Sequence, residues 1–525
     1  MNTSAQPSRT RAFSALFLIE MWERFGYYGM QVLLVVFMID YLGFPESRAN
    51  LTWGALAAMI YAMPVLGGWV GDKLLGARRT TLFGAIVLAL GYGLLSVPWD
   101  HVAPAAWARP LLFFSLGMIA TGNGLFKANP NNLVSRLYED EPSRLDGAFT
   151  MYYMAINVGA FISQSLTPWI RVHYGWHLAF LACMVGLVIG IAQFRFQRRL
   201  VAHIGSAPDF APLRIGRLAA VAGGTLVLAV VIAFIVQHIS VARAIVWLSG
   251  VALLGLFAVL IARGQRGERS GFIAMLVLTA QTMLFFVFYQ QMSTSLTLFA
   301  VHNVTLDFLG YRVPPEQFQV LNPFWIAVFS PLLALLYGRL GRNGNDLSVS
   351  GKYAWGFALL SLGFFTYAIS GAYAVGGLVS PWWMVGGYLL QSVAELLISG
   401  LALAMVARYV GPTLRGLMMG AWLLASGIAQ YIGSFVANYA SVPANVTDPS
   451  ATLPLYTHLF WVLGWVAAGG MVLAILLLPL MHRLDASHRT YTPRPQPAGV
   501  KGQTTDINGT PTTTTMMESG SPSRQ

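Results

Sequence analysis

The chain has 525 residues, of which 56% are hydrophobic and only 10% charged; soluble domains carry about 25% charged residues, so a soluble globular protein is excluded and an all-α integral membrane protein is expected. The net charge of +12 does not imply a nucleic-acid partner, because in a membrane protein an excess of Lys and Arg collects in the cytoplasmic loops. A single cysteine, Cys183, allows no intrachain disulfide and gives redox chemistry no support.

In chain order, residues 1–12 are polar and read as a cytoplasmic N-terminus. Apolar runs able to cross a bilayer then lie near 13–39, 50–71, 80–97, 111–129, 147–169, 175–194, 215–237, 241–262, 271–299, 318–338, 353–373, 382–409, 416–438 and 455–481. These fourteen predicted helices place both termini on one side of the membrane. The first run is too long and too charged for a cleavable signal peptide. From 484 to 525 the chain turns to Thr, Pro, Ser and Gly and reads as a disordered cytoplasmic tail.

The first run contains Glu20-Met21-Trp22-Glu23-Arg24-Phe25-Gly26-Tyr27-Tyr28-Gly29. Charges in such a helix cost roughly 2.5–3.5 kcal/mol each near its centre, so they need compensation. Glu20, Glu23, Arg24, Tyr27 and Gln31 fall on one helix face, and a polar stripe of this kind faces a water-filled cavity or the bundle interior.

Loop charges orient the chain. With the N-terminus inside, about 25 Lys and Arg fall in inner loops and termini and five in outer loops. Spans seven and eight carry almost no polar residue at mid-depth and are flanked by Arg-rich loops. They read as a helical hairpin (201–266) inserted between two six-helix bundles, 13–200 and 267–483. After the second span the chain reads Gly67-Gly68-Trp69-Val70-Gly71-Asp72-Lys73-Leu74-Leu75-Gly76-Ala77-Arg78-Arg79. This loop resembles the signature of the major facilitator superfamily. Its glycines permit close helix approach, and Asp72 with Arg78 and Arg79 is expected to form a breakable ion pair at a cytoplasmic gate.

Further polar groups interrupt later spans. Asn123 and Lys127 lie one turn apart; Tyr153, Asn157 and Gln164 share a face; Gln391, Glu395 and Ser399 follow at i, i+4 and i+8; Trp422, Ser426 and Gln430 form another stripe; and Asn322-Pro323 opens a helix. Glu20, Glu23 and Glu395 against Arg24 and Lys127 leave one negative charge, which one bound proton would neutralise. A zwitterionic ligand would place its carboxylate at Arg24 or Lys127 and its ammonium at Glu395. The residues therefore predict proton-coupled uptake of a small zwitterion.

Glu20-x-x-Glu23-Arg24-Phe25-x-Tyr27-Tyr28-Gly29 resembles the ExxERFxYYG signature of the proton-dependent oligopeptide transporters (the POT or PTR family) of prokaryotic type, within the major facilitator superfamily. Gly122-x-Gly124-x-x-Lys127, Phe149 through Gly159, Gln291 to Ala300, Asn322-Pro323, Glu395 with Ser399 and Met419-Gly420-x-Trp422 extend the resemblance over the whole transport core. It implies a major facilitator fold of 14 transmembrane helices in a bacterial inner membrane. It also implies proton-driven import of di- and tripeptides by alternating access, with protons as co-substrate, no cofactor and no obligate protein partner. Carried over by motif, Glu20, Glu23, Arg24 and Lys127 serve proton coupling. Arg24 and Lys127 receive the peptide carboxylate, Tyr27, Tyr28 and Tyr61 line the pocket, and Asn157 and Asn322 hold the backbone and amine together with Glu395. Trp422 and Ser399 border a side-chain pocket, while Lys127 and Glu395 pair as access changes.

Three positions depart from that pattern. Gln290, counted among the substrate-binding residues, stands where many prokaryotic members have Glu. Gly54 stands where animal members have His. Ser399-Gly400 replaces a common Ser-Pro, which puts the bend of that helix in question. A membrane enzyme has no support, since the sequence has no zinc-protease, nucleophile-elbow or phosphate-loop motif and its histidines are too scattered for a metal site. The alternative within carriers is a relative moving an amino acid, nitrate or a drug.

Overall fold

The computed structural model describes residues 8–102, 104–342, 348–443 and 445–491. Long apolar runs leave the backbone no option in lipid but to bond to itself as helix, and the described chain is almost all helical. The elements are α1 (Arg9–Asp40), α2 (Glu46–Ala62), α3 (Pro64–Lys73), α4 (Ala77–Leu95), a short α5 (Trp99–Val102), α6 (Ala105–Leu137), α7 (Pro142–Tyr174), α8 (Trp176–Phe196), α9 (Ile215–Gln237) and α10 (Ile239–Arg263). After these come α11 (Arg266–Tyr289), α12 (Ser295–Asn303), α13 (Leu321–Arg342), α14 (Val349–Ser370), α15 (Trp382–Ile398), α16 (Leu401–Tyr409), α17 (Arg415–Ala437) and α18 (Pro449–Tyr491). Among the described residues, ten helical stretches are individually long and apolar enough to cross a membrane. The first helix is not among them, in keeping with its charged stripe.

Three of the fourteen spans are broken midway. Pro64, which lacks an N–H, separates α2 from α3. A 3-10 turn, Gln290–Ser293, joins α11 to α12. Ser399-Gly400 separates α15 from α16, so the interruption is present without a proline; glycine, a poor helix former, stands at it.

The helices form two six-span bundles. In the first, α1 packs along α7 and α8, and α4 along α6; in the second, α14 packs on α15 and α18, and α11 on α17 and α18. Across the halves α2 lies on α17. Of the inserted pair, α9 lies along α6, whereas α10 packs against α11 and α17. The hairpin therefore touches both bundles. A Cβ on Gly159 would meet the carbonyl of Met21, so glycine there lets α7 seat directly against α1 at the level of Arg24.

The last helix corrects the expected tail. It continues past residue 483 to Tyr491 because tertiary contacts hold the extension. Asp485 pairs with Arg408 at 2.6 and 2.8 Å, and the His488 ring nitrogens lie 2.9 Å from the Gly267 carbonyl and 3.1 Å from that of Arg408. The remaining expected tail, 492–525, and residues 1–7 lie outside the described residues.

Candidate functional site

Between the two bundles lies a cavity of about 730 Å³, within the range of small-molecule sites. The first half contributes Arg24 and Tyr28 from α1, Tyr61 from α2, Lys127 from α6 and Asn157 from α7. The second contributes Asn322 from α13, Glu395 from α15, Ser399 from the break that follows it, and Trp422 from α17. The cavity extends to Asp72, Asn131 and Gly416, at the end of the bundle that bears the arginine-rich loops. At the opposite end Arg171 bonds both oxygens of buried Glu316 at 2.5 and 2.6 Å. His302 lies 2.6 Å from Glu46, whose other oxygen accepts from the Val442 amide at 2.7 Å. The cavity is thus open at the Asp72 end and closed at the other.

The first-helix charges form a compact buried cluster behind the cavity wall. Nε of Arg24 stands 2.5 Å from Glu23 Oε2 and 3.3 Å from Glu20 Oε1. Each carboxylate has a neutral donor as well: Asn123 donates to Glu23 Oε1 at 3.0 Å, and Tyr152 donates to Glu20 Oε2. The guanidinium lies over the Tyr27 ring at 5.2 Å, and its Nη2 is buried without a hydrogen-bond partner. Arg24 also lines the cavity, and a buried guanidinium nitrogen left unsatisfied is costly.

Lys127 and Glu395 stand on opposite walls and are not paired with each other in this conformer. The Lys127 ammonium sits 4.5 Å from the centre of the Tyr61 ring. Glu395, 8% exposed, accepts from Asn322 Nδ2 at 2.7 Å, and the same amide lies 3.1 Å from Ser392 Oγ. Tyr61 and Trp422 both pack on Phe286, with ring centroids 5.8 and 5.9 Å apart. The Asn157 amide donates to the Tyr153 carbonyl at 2.9 Å.

Not every expected site residue reaches the central cavity. Glu20, Glu23 and Tyr27 lie behind Arg24. Gln290 lines a small side cavity of about 20 Å³ with Tyr27, Trp53 and Gln430 and donates to Ser434 at 2.8 Å.

The expected gate pair requires correction. Among the described residues Asp72 does not pair with Arg78 or Arg79; it accepts from Asn132 at 2.9 Å and Ser206 at 3.0 Å. Both arginines instead hold the segment leading to the inserted hairpin. Buried Asp209 accepts the backbone N–H groups of Arg78 and Arg79 and lies 3.8 Å from the Arg78 side chain. The guanidinium of Arg78 bonds the carbonyls of Val201 and Ala202, and that of Arg79 those of Pro208 and Ala211. The physical reason is geometric: Asp209 meets orphan amides at the start of α4, a place Asp72, on the preceding helix, does not reach.

Several neighbours of the cavity and the charge cluster escape a reading by spacing. Tyr152 adjoins Tyr153 in the sequence, yet its hydroxyl faces Glu20. Tyr289, Phe285 and Gln319 also line the cavity, with only the polar or aromatic interruption of an apolar run as a signal. Arg171 and Glu316 stand 145 positions apart, and no sequence pattern joins them.

Comparison with known proteins places this architecture. Residues 78–457 match the POT family. The chain is 42% identical over 489 residues to the dipeptide and tripeptide permease B of Salmonella typhimurium, covering 92% of this chain and 98% of the relative. It is 41% identical to the dipeptide and tripeptide permease A of Klebsiella pneumoniae, covering 92% of this chain and 94% of that one. The crystal structure of tetrameric PepTSo2 superimposes with a TM-score of 0.82 at 47% identity, covering 91% of this chain and all of that one.

Proposed function

The chain belongs to the POT family, and we propose that it is a proton-coupled symporter importing di- and tripeptides by alternating access. It is a multi-pass membrane transporter, not an enzyme; the proposed setting is a bacterial inner membrane with both termini cytoplasmic. The carrying observation is the opposition of charge across one cavity, with Arg24 and Lys127 on the first bundle and Glu395 on the second. A short zwitterionic peptide presents a carboxylate and an ammonium at its two ends and bridges those walls. Binding would then draw the bundles together.

In this reading the peptide carboxylate meets Lys127 and the Arg24 guanidinium. The ammonium meets Glu395, with Asn322 orienting the carboxylate and Asn157 bonding the peptide backbone. Tyr28, Tyr61, Ser399 and Trp422 surround the side chains. Apolar rings combined with few fixed polar groups would admit varied side chains while fixing both peptide termini.

Proton coupling follows from the cluster on the first helix. While Glu20 and Glu23 are both ionised, they hold the Arg24 guanidinium toward themselves. Protonation of one weakens that hold and frees Arg24 for the peptide carboxylate. By reciprocity, a bound peptide that draws on Arg24 favours the proton. The conformer described, open beside Asp72 and closed by Arg171–Glu316, corresponds to the cytoplasm-facing state. Lys127 and Glu395 would pair in the emptied cavity as access changes.

Counterflow of a labelled dipeptide into proteoliposomes loaded with unlabelled dipeptide tests the substrate class. Exchange blocked by other di- and tripeptides supports it, and exchange blocked instead by a free amino acid, nitrate or a drug overturns it.

A further inference from the structure

A second cavity, of about 290 Å³, lies between α3, α6 and α9, on the flank of the first bundle and away from the central site. Its walls are mostly apolar and include Leu66, Val70, Leu125, Val221 and Leu228. The two threonines in it add no free polarity: Thr121 donates to the Gly117 carbonyl at 2.8 Å and Thr225 to the Val221 carbonyl at 2.7 Å. Its rim is exposed at Leu66 (46%), within helices that cross the membrane. An apolar groove open sideways at that depth faces acyl chains rather than water.

One charged residue borders the groove. Arg217, in the first turn of α9, lines it at the arginine-rich end. It is exposed, follows Arg214 by three residues, and its guanidinium makes no hydrogen bond or ion pair among the described residues. Asp209, the nearest acid in sequence, is taken by Arg78 and Arg79. An unpaired cation at headgroup level above an apolar slot matches one kind of molecule, a lipid with an anionic head and a hydrocarbon tail.

We propose that this groove binds an anionic phospholipid, with one acyl chain between α3, α6 and α9 and the phosphate on Arg217. The position gives the site consequence. The ten-residue α3 is the wall between groove and central cavity, and Trp69 borders both. A lipid seated there supports the helix that carries Asp72 at the cavity mouth, and it ties the inserted hairpin to the first bundle.

The test is native mass spectrometry of the full chain, delipidated and titrated with phosphatidylglycerol, with phosphatidylethanolamine and inorganic phosphate as separate arms. Gly224→Phe is chosen to fill the slot, since Gly224 lines it, a Cβ there meets nothing within 4 Å, and a helix accepts Phe better than Gly. Arg217→Gln removes the head contact and Arg217→Lys retains its charge. The expected result is one phosphatidylglycerol that Gly224→Phe eliminates, that Arg217→Gln weakens about fivefold, the share of one cation near an anionic lipid, and that Arg217→Lys largely restores. Equal retention of phosphatidylethanolamine, displacement by inorganic phosphate, or undiminished phosphatidylglycerol binding in Gly224→Phe would each overturn the proposal.

Discussion

Asn322 donates a 2.7 Å hydrogen bond to Glu395, and this contact holds a carboxylate in the middle of a membrane bundle with no cation paired to it among the described residues. The partner is a neutral amide from another helix, so no ion pair among the described residues competes with a ligand ammonium for Glu395. Replacing Asn322 with Ala leaves the carboxylate unsupported. Because hydrogen bonds to charged groups contribute about 1.5–3 kcal/mol, the KM for dipeptides should rise roughly tenfold to hundredfold. Uptake kinetics in proteoliposomes measure this, and an unchanged KM would remove Asn322 from the site.

Arg24 and Lys127 are proposed to receive the peptide carboxylate, so they should discriminate a free C-terminus from an amide. Wild-type protein is expected to bind a dipeptide at least tenfold more tightly than its C-terminal amide, a difference of about 1.4 kcal/mol. Lys127→Ala should compress that ratio toward unity, chiefly by losing the dipeptide. Competition assays with both ligands give the ratio directly. Arg24→Lys should abolish driven uptake despite keeping the charge, since an ammonium cannot reproduce a planar fork shared among two carboxylates and a ligand.

Arg171 and Glu316 close the end of the bundle opposite the cavity mouth. Arg171→Gln leaves Glu316, whose side chain has no exposed surface, without its cation, and breaking such a buried pair costs about 3–5 kcal/mol. Thermal unfolding in detergent should shift downward by several degrees and uptake should fall. The exchanged pair, Arg171→Glu with Glu316→Arg, should recover part of both. No recovery together with an unchanged melting temperature in the single variant would show that this bridge does not stabilise the closed end.

Asp209 fastens the hairpin connection to the start of α4, where it accepts two backbone amides and faces Arg78. Asp209→Asn keeps the shape but removes the charge that two arginines and a helix N-terminus favour. A lower melting temperature is expected, with a larger loss than for Asp72→Asn, whose carboxylate accepts from Asn132 and Ser206 and pairs with no cation among the described residues. The reverse order would restore Asp72 as the principal anchor of the loop.

The division between what the chain discloses and what it conceals has a physical cause. Long apolar runs must become helices in lipid, so all fourteen spans were legible, and charges within them had to find a cavity, so Arg24, Lys127 and Glu395 could be named. The partners of those charges come from other helices: Asn123 stands 100 positions from Glu23 and Tyr152 stands 132 from Glu20. Spacing along one helix reports a shared face and not what that face meets. The loop after α3 illustrates the limit. Its Asp72 and Arg78 lie close in sequence and invited pairing, whereas Asp209, in an unremarked linker, had the geometry to reach the amides of α4. The extension of α18 was hidden for the same reason, since Arg408 and Gly267 hold it from distant parts of the chain.

The most direct measurement is accumulation of a labelled dipeptide in proteoliposomes under an inward proton gradient, with wild-type protein beside Glu23→Gln. Wild-type protein should concentrate the peptide only while the gradient lasts. The variant should still exchange peptide at equal pH but fail to concentrate it, because the carboxylate nearest Arg24 no longer takes up a proton. Accumulation by Glu23→Gln equal to that of wild type, or by wild type without any gradient, would contradict a proton carried on the first helix.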